Sequence, residues 1–298
     1  MKKPAPLRKG DRVAIVSPAS KIAPELIDGA VAALRNEGFK PVVMPHAKGV
    51  CGSFSGTAQE RLADLQSALD DDRIRAILCS RGGYGAVHLL EELNQLPKEK
   101  FDKWLIGFSD ITVLHALWHK KGVASMHGAM AKYIGRGADG FDCYTHELDM
   151  LCGERPMLTF GSHEFNHRGF VRGEIVGGNM AVLGGLIGSE FDPIEPGDIL
   201  FIEDIAEHIY KVERMLWKLR LRGVFEKIGG VIVGQFTEYK PSADYQTMEM
   251  MIDSFFRDYT FPLAYNAPVG HVEANHPLLL GAEATLPVAP SMVTIAYN

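Results

Sequence analysis

The sequence predicts an α/β protein with two domains, and three observations lead to this fold class. Short β-branched runs alternate with segments of helical periodicity along the first half of the chain, which is typical of a mostly parallel sheet covered by helices. The pattern weakens between about Ala138 and His167 and then resumes. The length of 298 residues corresponds to roughly two domains of average size.

The elements of the first half alternate strand and helix. The predicted strands are Arg12–Ser17, Pro41–Met44, Arg73–Ser80 and Trp104–Phe108. The predicted helices are Pro24–Asn36, one that begins at the T-x-x-E capping box of Thr57 and Glu60, one from about Ala86 to Leu93, and one from Ser109-Asp110 to about Lys121. Sites in parallel sheets lie at the carboxyl ends of the strands, so the loops after the third and fourth strands are the first candidates.

The second half repeats the alternation after a segment rich in Gly, Asp, His and Pro. We expect an N-terminal domain over residues 1–150, a linker over 151–167 and a C-terminal domain over 168–298. The elements predicted in the second domain are the strands Phe170–Val176, Asp198–Glu203 and Val231–Phe236 and the helices Met180–Ile187, His208–Leu221 and Thr247–Tyr259.

Composition excludes several classes of protein. Apolar residues make up 46% and charged residues 23%, which excludes an intrinsically disordered chain. The net charge of −6 argues against a nucleic-acid partner, because such binding depends on cationic side chains. No run approaches the roughly 18 apolar residues of a membrane span, and the first apolar run, Val13–Val16, is too short for a secretory signal. We therefore expect a cytoplasmic protein with reduced thiols and no membrane partner.

The first candidate for chemistry is Ser109, within the segment Gly107-Phe108-Ser109-Asp110 between a predicted strand and a predicted helix. A serine on such a turn projects its hydroxyl from the sheet edge, with the next N–H group in the helix N-terminus as an oxyanion donor. The match to G-x-S-x-G is partial, since position 111 is Ile. The alternative is that Ser109 or Asp110 only caps the helix.

The second candidate is the loop Arg81-Gly82-Gly83-Tyr84-Gly85, which follows the third strand. Glycines allow a sharp turn and bring backbone N–H groups close to a ligand. The loop is interpreted as an oxyanion hole, a phosphate cradle or a tight turn, and it matches no dinucleotide or P-loop motif. Since it lies on the same sheet as Ser109, the two loops are expected to face each other.

Glu203 and His271 complete a possible triad with Ser109. Glu203 ends an apolar strand, where a charge needs a partner, while the neighbouring Asp204 resembles a helix cap. His271 lies in a loop after Gly270 and is a plausible base, although loop histidines are commonly only solvated. Triads are defined by geometry and not by chain order, so the residues permit this triad without selecting it.

Two histidine pairs suggest metal sites. His163 to His167 spells H-E-x-x-H, the zinc-peptidase signature, which binds zinc only when a helix places both histidines on one face. Gly161 and Gly169 flank the motif and no apolar periodicity surrounds it, which argues against that helix. His115 and His119 lie on a predicted helix but lack the glutamate, so packing or solvent exposure is expected. We predict no metal and no cofactor.

Eight segments in order resemble the LD-carboxypeptidase family of serine peptidases, which includes muropeptide LD-carboxypeptidases and microcin C immunity peptidases. The resemblance covers about residues 10 to 285. The segments are GDRVAIVSPAS, RGGYG, GFSDITVLHAL, MHGAMA, GGNMAVLGGLIGS, LFIEDIAE, GVIVGQF and PVGHVEANHPLLLG.

The resemblance implies a fold and a set of roles. It implies an N-terminal flavodoxin-like parallel-sheet domain that carries the nucleophile and a C-terminal α/β domain that carries the other two triad members. By motif, Ser109 is the nucleophile, Glu203 the acid and His271 the base, and the elbow of this family resembles G-x-S-D. The oxyanion donors implied are the backbone N–H groups of Gly83 and Asp110.

The resemblance also implies a substrate. A muropeptide carboxypeptidase cuts the bond between an L-configured centre and a terminal D-alanine during peptidoglycan recycling in the cytoplasm. Loop position makes Arg81, Tyr84 and Asn179 candidates for binding the substrate carboxylate, and each is equally suited to a structural role. The alternatives are hydrolysis of peptidyl or aminoacyl adenylates, the H-E-x-x-H zinc peptidase and a non-catalytic ligand-binding protein. A homodimer is expected from the resemblance alone.

Overall fold

The computed structural model describes residues 1–136 and 142–297. The chain divides into two compact units, one formed by Met1–Arg155 with His276–Leu280 and the other by Pro156–Asn275 with Gly281–Asn298. None of the helices in the described part of the chain combines the length and apolar character that a membrane span requires.

The first unit contains a six-stranded sheet within the described residues. Five strands are parallel in the order 2-1-3-4-5, which is the order of flavodoxin-like folds, and the sixth pairs antiparallel at the edge next to β5. The strands are β1 (Arg12–Val16), β2 (Lys40–Val43), β3 (Ile74–Cys79), β4 (Trp104–Gly107), β5 (Ser125–His127) and, from the far end of the chain, β11 (Leu278–Leu280). The predicted flavodoxin-like domain is confirmed.

The first two helices begin where the sequence signals predict. The segments predicted to begin a helix at about Ala86 and at Ser109 first form a 3₁₀ turn, and the α-helices that follow begin at Leu90 and Thr112. Pro24 occupies the first turn of α1, whose buried residues Ile27, Ala30 and Leu34 repeat at helical spacing. The capping box is present, since the Glu60 N–H donates to Thr57 Oγ1 and the Thr57 N–H donates to Glu60 Oε2. The helices are α1 (Pro24–Asn36), α2 (Ala58–Asp70), α3 (Leu90–Asn94), α4 (Thr112–Lys120), α5 (Ala131–Ile134) and α6 (Asp142–Leu151).

The second unit contains a seven-stranded mixed sheet in its described residues, in the order β10-β9-β8-β7-β12-β13-β6. β7 to β10 run parallel, and β12, β13 and β6 add antiparallel strands beyond β7. The strands are β6 (Leu158–Gly161), β7 (Gly169–Asn179), β8 (Ile199–Ile205), β9 (Gly230–Thr237), β10 (Leu263–Ala264), β12 (Glu283–Val288) and β13 (Met292–Tyr297). The helices are α7 (Met180–Leu186), α8 (Ile209–Leu221) and α9 (Met248–Phe256).

The helices α7, α8 and α9 cover the parallel strands of the second sheet. Their apolar faces join the strand residues in one buried core that includes Met180, Val212, Leu216 and Met251. This core fixes β8, whose first five residues are fully buried, and so fixes the side chains at its carboxyl end.

Part of the segment between the two predicted domains forms a β-strand. Residues 151–167, expected to be a linker, include β6, which pairs with β13 at the edge of the second sheet. The weak sequence pattern began at about residue 138, and residues 137–141 lie outside the described part of the chain.

Candidate active site

Ser109 lies at the turn between β4 and α4 in a strained backbone conformation. Its φ is +65°, in the left-handed region that residues with a side chain rarely adopt, while Phe108 before it is fully extended. A short 3₁₀ turn, Ser109–Ile111, then leads directly into α4. Hydrolase nucleophiles occupy the same kind of strained strand-to-helix turn, so this backbone argues for a nucleophile and against a simple helix cap.

The glycine loop after β3 packs directly against this serine. A Cβ added to Gly82 would stand 2.8 Å from Ser109 Cβ and 3.0 Å from Ser109 Oγ, so only glycine permits this approach. The structure therefore brings together the two loops that the sequence placed on one sheet edge. The same contact would bring any molecule bound at Ser109 against the glycine backbone.

Asp110 ties the two loops together through its side chain. Its Oδ2 accepts a hydrogen bond from the Ala86 N–H at 2.8 Å, at the point where the glycine loop ends. Burial raises the pKa of Asp110, while the hydrogen bond from the Ala86 N–H and, to a smaller extent, the positive charge of Arg61 oppose that rise. The backbone N–H of Asp110 lies in the first turn of the helix, where N–H groups have no intrahelical acceptor, as an oxyanion donor requires.

Gly83 of the same loop makes room for an anchoring serine. Gly83 has a φ of +107°, and a Cβ at this position would collide with Ser20. Ser20 Oγ accepts from the Tyr84 N–H at 3.2 Å, and the Ser20 N–H donates to the Gly82 carbonyl at 3.4 Å. Tyr84 itself is 58% exposed and its ring lies 5.8 Å from that of Phe54.

Arg61 on α2 is a part of this site that the sequence analysis missed. The side chain is buried, and it donates to the carbonyls of Gly56, Pro18 and Gly85 at 3.1, 2.5 and 2.8 Å. It thereby connects the loops after β1 and β3 to the start of α2. Its position one turn before the buried Leu65 was the signal that could have placed it on the inner face of the helix.

His115 on α4 holds the strand end that precedes Ser109. The side chain is buried, and its Nε2 lies 2.8 Å from the Gly107 carbonyl and its Nδ1 2.8 Å from Ser125 Oγ. Burial lowers the pKa of His115 to about 4, so the ring is neutral at pH 7. Because a carbonyl only accepts, Nε2 carries the proton and Nδ1 accepts from the serine hydroxyl. Of the two roles expected from the sequence, packing and solvent exposure, His115 has the first.

We expect His115→Leu to destabilise the protein by about 1–3 kcal/mol, because the variant leaves the Ser125 hydroxyl buried without its partner and weakens the hold on Gly107. Chemical denaturation followed by circular dichroism measures this change. Lys120→Leu on the exposed side of the same helix is the control and should cost at most about 0.5 kcal/mol. Equal stability of the two variants would show that the histidine does not hold the turn.

Glu147 on α6 anchors the segment that follows β5. Its Oε2 accepts from the Ala129 N–H at 2.5 Å, and a Cβ on Gly128 would stand 2.5 Å from the same oxygen. Burial raises the pKa of Glu147 from 4.5 to about 8. The carboxyl group is therefore largely protonated in the folded protein at pH 7.

The raised pKa of Glu147 predicts a pH-dependent stability. Between about pH 5 and pH 8 the native state keeps a proton that the unfolded chain loses, so this group's contribution to stability declines as the pH rises. Glu147→Gln keeps an oxygen acceptor and does not titrate. We expect its melting temperature to rise relative to that of the unmodified protein as the pH is raised through this range. If the melting temperatures of the two proteins changed in parallel with pH, the raised pKa of Glu147 would be contradicted.

Glu203 and His271 form an acid–base pair in the second unit, in which the glutamate is buried and the histidine is partly exposed. Glu203 Oε2 lies 2.7 Å from His271 Nδ1, and the Glu203 side chain is fully buried near the carboxyl end of β8. Its other oxygen, Oε1, is buried with no hydrogen-bond partner among the described residues. A neutral histidine that donates from Nδ1 has its basic lone pair on Nε2, which is the arrangement of a general base.

Two glycines make space for this pair. Gly270 has a φ of +132°, and a Cβ there would stand 3.0 Å from Glu203 Oε2. A Cβ on Gly234 of β9 would stand 2.5 Å from the Val269 carbonyl oxygen and 3.2 Å from Glu203 Cβ. Position 270, directly before His271, therefore requires glycine, because the backbone there lies close to the Glu203 carboxylate.

Asn179 and Asp204 lie beside the pair but have structural partners. Asn179 Oδ1 caps α7 by accepting from the Val182 N–H at 3.2 Å, and its Nδ2 donates to Asp204 Oδ1 at 2.8 Å. Asp204 Oδ2 accepts from the Ala181 N–H at 2.9 Å. Burial and the charge of Glu203 raise the pKa of Asp204 to about 6. Asp204 therefore stabilises the N-terminus of α7, which precedes it in the chain, and it does not cap α8, the helix that follows it, whose N-cap residue is His208.

The H-E-x-x-H segment does not form the helix that a zinc peptidase needs. His163 is followed by a turn, its Nδ1 accepts from the Phe165 N–H at 3.2 Å, and His167 forms a bridge to Leu263. The two histidines therefore do not share a helical face, and the chemistry of that motif has no support in this backbone.

A strained serine at a strand-to-helix turn and a histidine paired with a buried glutamate are the components of a serine hydrolase. The chain belongs to the LD-carboxypeptidase family: residues 13–128 match the model of the family's N-terminal domain and residues 172–286 match that of its C-terminal domain. It is a serine-type carboxypeptidase.

Three similar proteins have informative names. The murein tetrapeptide carboxypeptidase of Pseudomonas aeruginosa is 30% identical over 92% of this chain and 92% of its own. The crystal structure of muramoyltetrapeptide carboxypeptidase from Oxalobacter formigenes matches with a TM-score of 0.88 and 26% identity, over 96% of this chain and 98% of that one. The microcin C7 self immunity protein MccF, in complex with aspartyl sulfamoyl adenosine, matches with a TM-score of 0.87 and 24% identity, over 99% and 98%.

Proposed function

We propose that this carboxypeptidase releases the terminal D-alanine from muropeptide tetrapeptides by cutting the bond after the L-configured centre of the diamino acid. The observation that carries the proposal is the left-handed backbone of Ser109 packed against Gly82. Two similar proteins, from Pseudomonas aeruginosa and Oxalobacter formigenes, are named for action on the same tetrapeptide. We also propose that the enzyme acts in peptidoglycan recycling in the cytoplasm and that it forms a homodimer.

The proposed mechanism uses three side chains and two backbone groups. Ser109 Oγ attacks the scissile carbonyl carbon while His271 Nε2 takes the hydroxyl proton, and Glu203 stabilises the resulting imidazolium. The N–H groups of Gly83 and Asp110 donate to the oxyanion, a type of interaction typically worth roughly 10²- to 10³-fold in turnover.

The second half of the cycle regenerates the enzyme. As the tetrahedral intermediate collapses, the C–N bond breaks and D-alanine leaves with the proton from His271. Water then attacks the acyl-enzyme, His271 takes a proton from that water, and the ester bond to Ser109 Oγ breaks. Ser109 recovers its proton and the shortened peptide leaves with a new carboxylate.

A second candidate reaction is hydrolysis of aminoacyl or peptidyl adenylates. The observation in its favour is the fold shared with MccF, whose structure contains an aminoacyl sulfamoyl nucleoside. The tetrapeptide reaction is preferred because the tetrapeptide carboxypeptidase of Pseudomonas aeruginosa is the more similar protein in sequence.

The experiment offers purified protein the two substrates separately. We expect D-alanine release from a muropeptide tetrapeptide, measured by chromatography, and no cleavage of the same peptide ending in L-alanine. Hydrolysis of the adenylate with no action on the tetrapeptide would overturn the proposed substrate. Light scattering of the same sample measures the mass of the particle in solution. The mass of two chains is expected, and the mass of one chain would contradict the homodimer.

A further inference from the structure

Three cationic side chains of the first unit lie close together near the strained serine. They are Arg81, Lys132 and Arg136, and we call them the cation cluster. The Lys132 N–H donates to the Ser80 carbonyl at 2.8 Å, which joins the start of α5 to the residue before Arg81. Lys132 Nζ and Arg136 Cζ lie 5.2 and 5.8 Å from the centre of the Tyr133 ring. Two of the charges therefore lie within about 6 Å of the same aromatic ring.

Two neighbouring residues connect the cluster to the loops of the candidate site. The Tyr133 ring lies 5.4 Å from the ring of Phe108, the residue directly before Ser109. From the glycine loop, Arg81 Nη2 lies 3.5 Å from the place where a Cβ of Gly83 would stand. The guanidinium is therefore beside the backbone of Gly83, whose N–H is a proposed oxyanion donor.

Among the residues that the structure describes, no neighbouring carboxylate balances the charges of the cluster. Burial, together with the positive charges of Arg81 and Arg136, lowers the pKa of Lys132. In the part of the chain that the structure describes, no carboxylate pairs with any of the three. Arg81 Nη1 donates to the Lys21 carbonyl at 3.2 Å, whereas its Nε is buried without a partner among those residues. Like charges held together repel, and a bound anion relieves that repulsion.

We propose that the cation cluster binds the C-terminal carboxylate of the peptide, and so restricts the enzyme to the last bond of the chain. This inference rests on the proposed function. In a carboxypeptidase substrate the terminal carboxylate lies one residue from the scissile carbonyl, at most about 3.6 Å of chain. The recognising cations must therefore lie near the nucleophile turn. Arg81 directly precedes Gly82, which packs against Ser109. Lys132 and Arg136 lie near the Tyr133 ring, which lies against the ring of Phe108. The fork of an arginine pairs with both oxygens of a carboxylate, while Lys132 supplies a point charge.

The test measures binding in the Ser109→Ala background, in which the substrate stays intact. Isothermal titration calorimetry compares a muropeptide tetrapeptide ending in D-alanine, the same peptide ending in D-alaninamide, and AMP. We expect the free acid to bind roughly 10- to 100-fold more tightly than the amide. Adding Lys132→Met or Arg81→Met should reduce that preference to about threefold or less, while Lys132→Arg should keep it.

The exposed Lys98 provides the matched control, since Lys98→Met removes the same charge away from the cluster and should leave the preference unchanged. The inference is overturned if the acid and the amide bind equally, or if the preference survives in both methionine variants with normal melting temperatures. It is also overturned if Lys132→Met weakens the binding of AMP but not that of the peptide acid, because the cluster would then be a phosphate site. If the acid is preferred but the unmodified enzyme releases no D-alanine, the proposed function fails while the cluster still binds carboxylate.

Discussion

Replacing Ser109 with alanine is expected to reduce turnover of the tetrapeptide by about 10⁴- to 10⁶-fold, because removal of a hydrolase nucleophile leaves only oxyanion binding and substrate positioning. The measurement is D-alanine release under conditions in which the unmodified enzyme consumes its substrate. Since alanine is no larger than serine and the turn is held by Gly82, His115 and Asp110, we expect the melting temperature to remain close to that of the unmodified protein.

The matched control is Ser67→Ala on the exposed side of α2, which should have full activity. Activity that survives in Ser109→Ala would remove this residue from the mechanism. If that surviving activity were also lost in a chelator, a metallopeptidase would replace the serine mechanism altogether.

The second large effect is expected for Glu203→Gln, with a fall in kcat of about 10³- to 10⁴-fold. The amide has the same shape as the carboxylate but no charge, so it neither stabilises the imidazolium of His271 nor holds the Nδ1 proton as firmly. His271→Gln should reduce kcat at least as much, because it removes the proton acceptor itself. Steady-state kinetics with a saturating tetrapeptide separate these losses from changes in KM.

Stability distinguishes a catalytic role for Glu203 from a structural one. Its carboxylate is fully buried and one oxygen has no hydrogen-bond partner among the described residues, an arrangement that costs stability. We therefore expect Glu203→Gln to lose activity while it keeps or gains thermal stability. Glu226→Gln, at an exposed position, is the control for both measurements. Unfolding of Glu203→Gln at ordinary temperature would show that the carboxylate is mainly structural.

Local signals predicted much of the fold. The proline at the start of α1, the capping box of α2 and the apolar runs of the parallel strands each depend on neighbouring residues, so they are visible in the sequence. The pairing of β11 with β5 joins residues more than 150 positions apart and had no local signal. The same is true of β6, whose partner β13 lies near the end of the chain.

The residues of the candidate site that belong to a recognisable motif could be predicted from the sequence. The pair Glu203 and His271 is 68 residues apart, and the motif order identified both before the structure placed them at 2.7 Å. Arg61 and His115 were harder to predict in these roles, because they act by bonding to backbone carbonyls of distant loops. A carbonyl is present at every position, so the sequence does not show which one a buried side chain reaches.

Covalent labelling of Ser109 tests the central claim most directly. The unmodified enzyme is incubated with a fluorophosphonate, which reacts with an activated serine, and the modified peptide is located by tandem mass spectrometry. The serine mechanism predicts a single stoichiometric adduct on Ser109, accompanied by loss of D-alanine release, and far slower labelling in Glu203→Gln. An adduct on another residue, or full activity after Ser109 is modified, would contradict it.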